Sequence, residues 1–307
     1  MQANSGARWW GTVRGPFLLL TPACVLLGLA CAWLARDPAA PLATWWTQAA
    51  LAMGAALCGH ISVNMLNEFA DARSGLDALT QRTPFSGGSG TLQARPDWLG
   101  LTLAGGVLTL LLAMAMGLTL VARAQAWWPL APLGLLAVAL VAGYSPWIGR
   151  QPWLCLVAPG LGFGAVMVAG TACAVGGHHT LAAWWAALVP FALVNNLLLL
   201  NQFPDVEADR ACGRRNLPIV WGRRASAQVA WAQWALAYGG IASGVALRVW
   251  PAGAALGLLT LPLAWRTGRG VWRHADELPA LVPHLGANVA ITLGTPVLMA
   301  AGLLLGA

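Results

Sequence analysis

Apolar runs of about 20 residues, the length that carries a helix across a bilayer, recur nine times along this chain. They cover roughly 16–35, 43–66, 98–121, 127–146, 153–176, 181–203, 226–246, 249–266 and 284–306. Hydrocarbon offers no partner for an open backbone N–H or C=O, so runs like these must fold as helices. Only 9% of the residues are charged, against about 25% in a soluble domain. The expected fold is therefore all-α: one polytopic transmembrane domain over residues 1–307, with nine spanning helices. Tryptophans at Trp9-Trp10, Trp45-Trp46, Trp98 and Trp127-Trp128 stand at the edges of runs, where an interfacial aromatic belt belongs. The run at 16–35 follows Arg8 and Arg14 in the manner of a signal peptide. It is long enough to cross, and further spans follow, so it is expected to be a retained helix. The six cysteines, Cys24, Cys31, Cys58, Cys155, Cys173 and Cys212, form no CxxC and mostly lie inside apolar runs, as small packing residues do.

The net charge of +7 would suggest nucleic acid in a soluble protein. Here the charge sits in short loops between spans, so the expected surroundings are the lipid bilayer, with no nucleic-acid partner. Nine spans sort the 17 arginines cleanly. Arg8, Arg14, Arg73, Arg82, Arg95, Arg150, Arg210, Arg214, Arg215, Arg223, Arg224, Arg266, Arg269 and Arg273 fall on one side. Arg36, Arg123 and Arg248 fall on the other. The positive-inside rule then places the N-terminus and the arginine-rich loops in the cytoplasm, in an integral cell (inner) membrane protein.

Six of the ten acidic residues lie in two short segments at the cytoplasmic ends of the second and sixth spans. The first holds Asn67, Glu68, Asp71 and Asp77; the second holds Asn201, Asp205, Glu207 and Asp209. Both begin Asn-[Glu/Gln]-Phe-x-Asp. Carboxylates beside a hydrocarbon core are costly and mark function. Oxygen ligands in two matching clusters suit Mg²⁺, which commonly shares its shell with phosphates. Asn67 and Asp71 are one helical turn apart, and Asn201, Asp205 and Asp209 step by four, so each set is expected to form a stripe on a helix. Gly75 permits a helix to end and the chain to turn Asp77 back. Arg73, Arg82, Arg150, Arg214 and Arg215 are candidate ligands for a diphosphate. The stretch Thr83-Pro84-Phe85-Ser86-Gly87-Gly88-Ser89-Gly90 is a candidate phosphate-proximal loop. Arg223, Arg224, Arg266, Arg269 and Arg273 read as solvated loop charges, and His178-His179 as a solvated pair. His60 is either a packed polar residue or a cavity wall. Two repeats in parallel orientation would also explain the four-span spacing.

These motifs resemble those of the UbiA superfamily of intramembrane prenyltransferases. The resemblance implies nine helices around a central cavity and two Asp-rich motifs that bind a polyprenyl diphosphate through Mg²⁺. It also implies transfer of the prenyl group to an aromatic small-molecule acceptor. On this resemblance Asn67, Asp71, Asp77, Asp205 and Asp209 are metal ligands, and Arg82, Arg150, Arg214 and Arg215 bind diphosphate. Asn201 and Tyr144 line the acceptor site or cavity. Within the superfamily the motifs are closest to those of 1,4-dihydroxy-2-naphthoate polyprenyltransferases of menaquinone biosynthesis. Gly75-x-Asp77 fits that group, as does the sequence Asn201, Asp205, Asp209, Gly213, Arg214-Arg215, Leu217 and Gly222. The chain departs from it at Asn216, where threonine is usual, and at Ala158-Pro159-Gly160, where a Gly-Glu is expected. A different acceptor in the same superfamily is one alternative. An ion- or proton-coupled transporter is another, but it calls for acids deep within the spans rather than at their ends.

Overall fold

The computed structural model describes residues 9–80, 82–85, 87–124 and 127–306, without the side chains of Asp77 and Ala78. The described residues form helices and turns, with no strand among them. Among the described residues, six helical stretches are long and apolar enough to cross a membrane: Gly15–Leu34, Leu42–Ser74, Pro96–Arg123, Pro152–Gly176, Leu181–Asn201 and Leu278–Leu305. Their main helices are α1 (Leu20–Leu34), α2 (Leu42–Ser74), α5 (Leu99–Arg123), α7 and α8 (Pro152–Gly160 and Gly170–Gly176), α9 (Leu181–Asn201) and α13 (Leu278–Leu305). Short helices α3 (Leu76–Leu79) and α4 (Thr91–Ala94) lie between α2 and α5.

The other three expected spans are helical but weaker. Residues 127–146 give only the 13-residue α6, Ala131–Gly143. Residues 226–246 belong to α11, Leu217–Ala246, whose tryptophans, glutamines and Tyr238 dilute its apolar character. Residues 249–266 divide into a 3₁₀ helix, Ala252–Thr260, and the start of α12, Leu261–His274. A six-residue helix α10, Val206–Ala211, joins α9 to α11.

Helix α9 is the axis of the core. Ala186, Val189, Ala192, Leu193, Val194 and Leu200 are buried along it, and α1 contributes the buried Cys24, Val25 and Leu27. Small residues let helices approach closely in this setting. At Gly164, for example, an added Cβ would lie 2.5 Å from the Ala187 carbonyl of α9. The fourth long stretch, Pro152–Gly176, is irregular because Pro159 cannot donate a backbone hydrogen bond. The helix widens to a π-type turn over Leu161–Ala169, and the Gly160 N–H turns to Asn195 Oδ1 on α9 (2.6 Å). By contrast, α5 exposes Leu101, Val107, Leu108, Leu111, Leu112 and Leu118, the outward apolar surface expected of a lipid-facing helix. The six cysteines are all free. His60 is a packed polar residue: its Nδ1 pairs with Thr21 Oγ1 (2.8 Å) and its ring meets Phe163 edge-on.

Candidate functional site

The first acidic segment rides on the last turns of α2. Asn67 and Asp71 lie on this continuous helix and so share a face. The helix ends where Gly75 adopts φ 76, a left-handed conformation that L side chains resist. Asp77 falls outside the described side chains.

The second segment is built differently. A single helical stripe through 201, 205 and 209 does not form. α9 stops at Asn201, turns carry Gln202 to Asp205, and α10 starts at Val206. Pro204 has no N–H to continue the ladder and disfavours helix in the residue before it. The turn closes through Asp205 N–H to the Gln202 carbonyl (3.1 Å), and α10 opens with Asp209 N–H to the Asp205 carbonyl (2.8 Å). Arg223, expected to be a solvated charge, braces this turn by donating Nε–H to the Phe203 carbonyl (2.9 Å).

The two segments meet at Arg214. Its Nη2 contacts Asp71 Oδ1 and its Nη1 lies 3.3 Å from Asp209 Oδ1. Asn216 Nδ2 donates to the other oxygen of Asp209 (2.7 Å), while Asn216 Oδ1 accepts the Ile219 N–H (3.1 Å) and caps α11. Asn216 thus both starts a helix and orients a site carboxylate. Asp71 and Asp209 are both buried. Burial pushes the Asp209 carboxyl up to about 6 against the opposing charge of Arg214; the Asp71 charge adds to the rise, and the hydrogen bonds from Arg214 and Asn216 oppose it. Two buried carboxylates thus share one guanidinium, which leaves this cluster one positive charge short among the described residues.

Tyr144, just past α6, lies within electrostatic reach of Arg214, Asp209, Asp71 and Cys155. Its neighbour Ser145 accepts from Asn67 Nδ2 (3.4 Å). Cys155 Sγ accepts from Gln202 Nε2 (3.2 Å), tying the second segment to α7. Asn201 is buried, and its Oδ1 has no hydrogen-bond partner among the described residues. The other candidate arginines are exposed. Arg215 holds the loop by backbone alone, donating N–H to the Gly149 carbonyl (3.2 Å) beside Arg150. The Arg82 guanidinium lies over Gly90, where an added Cβ would come within 1.9 Å of it. Arg73 is exposed at the end of α2.

Glu68 has a role that sequence reasoning missed. It is fully buried, and both oxygens are engaged. Arg14 Nε donates to Oε1 (2.6 Å), as does the Ser89 N–H (2.8 Å), and Ser89 Oγ donates to Oε2 (2.6 Å). This acid therefore anchors the glycine-rich loop and the N-terminal segment to α2, next to Asn67. The signal was its place inside the motif; its partners lie too far away in sequence to be read from spacing.

Among the described residues, no group of three or more His, Cys, Asp or Glu side chains gathers as a metal cluster. What the fold brings together is two buried carboxylates, the amide of Asn216 and a bridging guanidinium. The model of the UbiA prenyltransferase family matches residues 21–283. The chain belongs to that family. Three solved structures share its fold at low identity. The apo UbiA homologue of Aeropyrum pernix K1 has a TM-score of 0.64 and 17% identity over 93% of this chain and 97% of its own. The UbiA homologue of Archaeoglobus fulgidus bound to DMAPP and Mg²⁺ has a TM-score of 0.59 and 13% identity over 96% and 99%. A digeranylgeranylglyceryl phosphate synthase has a TM-score of 0.57 and 14% identity over 97% and 96%. No significant match is found among curated proteins. Membership of the UbiA family makes this chain a prenyltransferase and sets aside the transporter reading.

Proposed function

We propose that this UbiA-family prenyltransferase uses Mg²⁺ to transfer a polyprenyl group from its diphosphate to an aromatic quinone precursor, with dihydroxynaphthoate the favoured acceptor. The observation that carries the site assignment is the meeting of Asp71 and Asp209, from two segments far apart in sequence, at one guanidinium. The donor set fits the ion: hard oxygen ligands are present, two carboxylates share one guanidinium, and the Asn201 amide oxygen is buried without a partner among the described residues. Asp71, Asp205 and Asp209, with Asn67, Asn201 and Asp77, would hold it. When bound, Mg²⁺ neutralises charge on the diphosphate as it departs.

The chain's own groups supply the rest. Arg214 is charged at any working pH and can present further N–H donors to phosphate oxygens. Arg82, over the glycine-rich loop, and Arg150 and Arg215, on neighbouring loops, supply outer contacts. Together they stabilise the leaving group as negative charge builds on it. The allylic carbon turns cationic as its C–O bond breaks. An electron-rich ring carbon attacks it, and the ring then loses a proton. Burial of the site beside Tyr144 excludes the water that would otherwise capture the cation.

The nine-span layout with a cytoplasmic site rests on the arginine sorting. A reporter fused after Ser89 is expected on the cytoplasmic face and one at His179 on the opposite face; the same face for both would refute it. The acceptor is tested by competition between dihydroxynaphthoate and 4-hydroxybenzoate for one prenyl diphosphate in Mg²⁺-containing membranes. Dihydroxynaphthoate should win. A 4-hydroxybenzoate product would overturn the acceptor assignment alone, whereas failure of every acceptor to support diphosphate release would overturn the site.

A further inference from the structure

Helix α12 has two unlike faces. Ala264, Thr267, Gly268, Gly270 and Val271 are buried, while Trp265, Arg266, Arg269, Trp272 and Arg273 are exposed. Trp265, Arg269 and Trp272 follow helical spacing on one stripe, with Arg273 one turn beyond Arg269. Together with Trp231 of α11 they line an open groove of about 490 Å³. Trp231 meets Trp265 edge-on at 5.1 Å. It also seats directly on Gly268, where an added Cβ would fall 2.5 Å from its ring. The floor is therefore aromatic and fixed, and the rim carries guanidinium groups.

Those guanidiniums have no carboxylate in an ion pair among the described residues. The nearby acids are spent elsewhere: Asp276 faces Arg223 and Arg224, and Glu277 faces His274. The same contacts fix the groove's position. Arg223 touches both Asp276 and the Phe203 carbonyl of the second acidic segment, so the groove opens at the end of the bundle that holds the site. Tryptophan at that level sits among lipid headgroups, and clustered arginine attracts anionic ones.

We propose that this groove binds the phosphate headgroup of an anionic phospholipid, with Arg269 and Arg273 forking onto the phosphate and Trp231, Trp265 and Trp272 packing on the glycerol and upper acyl carbons. The test uses the full chain in detergent micelles, with bound lipid counted by native mass spectrometry during titration with phosphatidylglycerol, phosphatidylcholine or inorganic phosphate. Wild type should retain phosphatidylglycerol in preference to phosphatidylcholine. The double variant Arg269→Gln/Arg273→Gln should bind it about 30-fold more weakly, while Arg123→Gln, an exposed arginine elsewhere, binds as wild type. Undiminished binding by the double variant at an unchanged melting temperature would overturn the proposal. So would equal retention of phosphatidylcholine, or displacement of the lipid by equimolar inorganic phosphate, which would make the groove a free-anion site.

Discussion

The two acidic segments look alike in sequence and are built on opposite principles. The first is the end of an uninterrupted helix, and its extra acid, Glu68, is sealed into a structural network with Arg14 and Ser89. The second is a helix broken at Pro204, and its extra acid, Glu207, is exposed and paired only with Arg210 (3.0 Å). One side of the site is thus a rigid wall with a loop pinned to it. The other is a folded corner braced by Arg223, Gln202 and Asn216. A shared Asn-x-x-x-Asp spacing therefore says which oxygens are presented, and not how the backbone presents them.

The sharpest way to break this comparison is to remove one carboxylate from each side. Asp71→Ala and Asp209→Ala should each lower prenyl transfer by at least about 10²–10³-fold, the scale for losing a group that stabilises developing charge. Because each variant leaves Arg214 bridging only one acid, the two losses should be far from additive. Rates of single and double variants at saturating Mg²⁺ check this; near-normal turnover by either single variant would dissolve the paired site.

Glu68→Gln probes the wall. It keeps the shape but removes the charge that holds Arg14 and Ser89, at a cost of about 2 kcal/mol in stability, the scale of a hydrogen bond to a buried charge. Loosening the glycine-rich loop and the Arg82 that lies over it should raise KM for the prenyl diphosphate more than it lowers kcat. A fall in kcat matching that of Asp71→Ala would instead make Glu68 part of the reacting centre.

What could be read from the chain beforehand follows from the range of each interaction. The long apolar runs and the Asn67–Asp71 stripe depend on local periodicity, and local periodicity is visible. Gly75 ends α2 as its chemistry dictates. The broken stripe at 201–209 was also local, but the step of four outweighed Pro204 in the reading although Pro204 governs the backbone. Glu68, Arg14 and Ser89 were each visible, yet their union depends on tertiary packing. Arg14 served only to orient the chain, and its pairing could not be inferred. The same holds for Arg223, which reads as a solvated charge until Phe203 is brought to it. Among the arginines proposed for diphosphate, Arg214 alone bridges the carboxylates. Arg82, Arg150 and Arg215 are exposed on loops, a distinction that residue type and spacing do not carry.

The smallest effect tests the corner. Asn216 does two things at once, capping α11 through the Ile219 N–H and steadying Asp209. Asn216→Ala loses both, and the cap alone is worth about 1 kcal/mol. Asn216→Thr retains a cap-forming oxygen and a hydroxyl donor, although the shorter side chain must reach Asp209 from further back. Melting temperature should therefore fall clearly for the alanine variant and little for threonine. Activity should follow the same order, because an Asp209 carboxylate without its amide partner is both less oriented and harder to keep ionised. Should threonine prove as damaging as alanine, the amide geometry and not the cap is what Asp209 requires. The second segment would then be tuned to asparagine in this chain, a site adjusted around its own carboxylate.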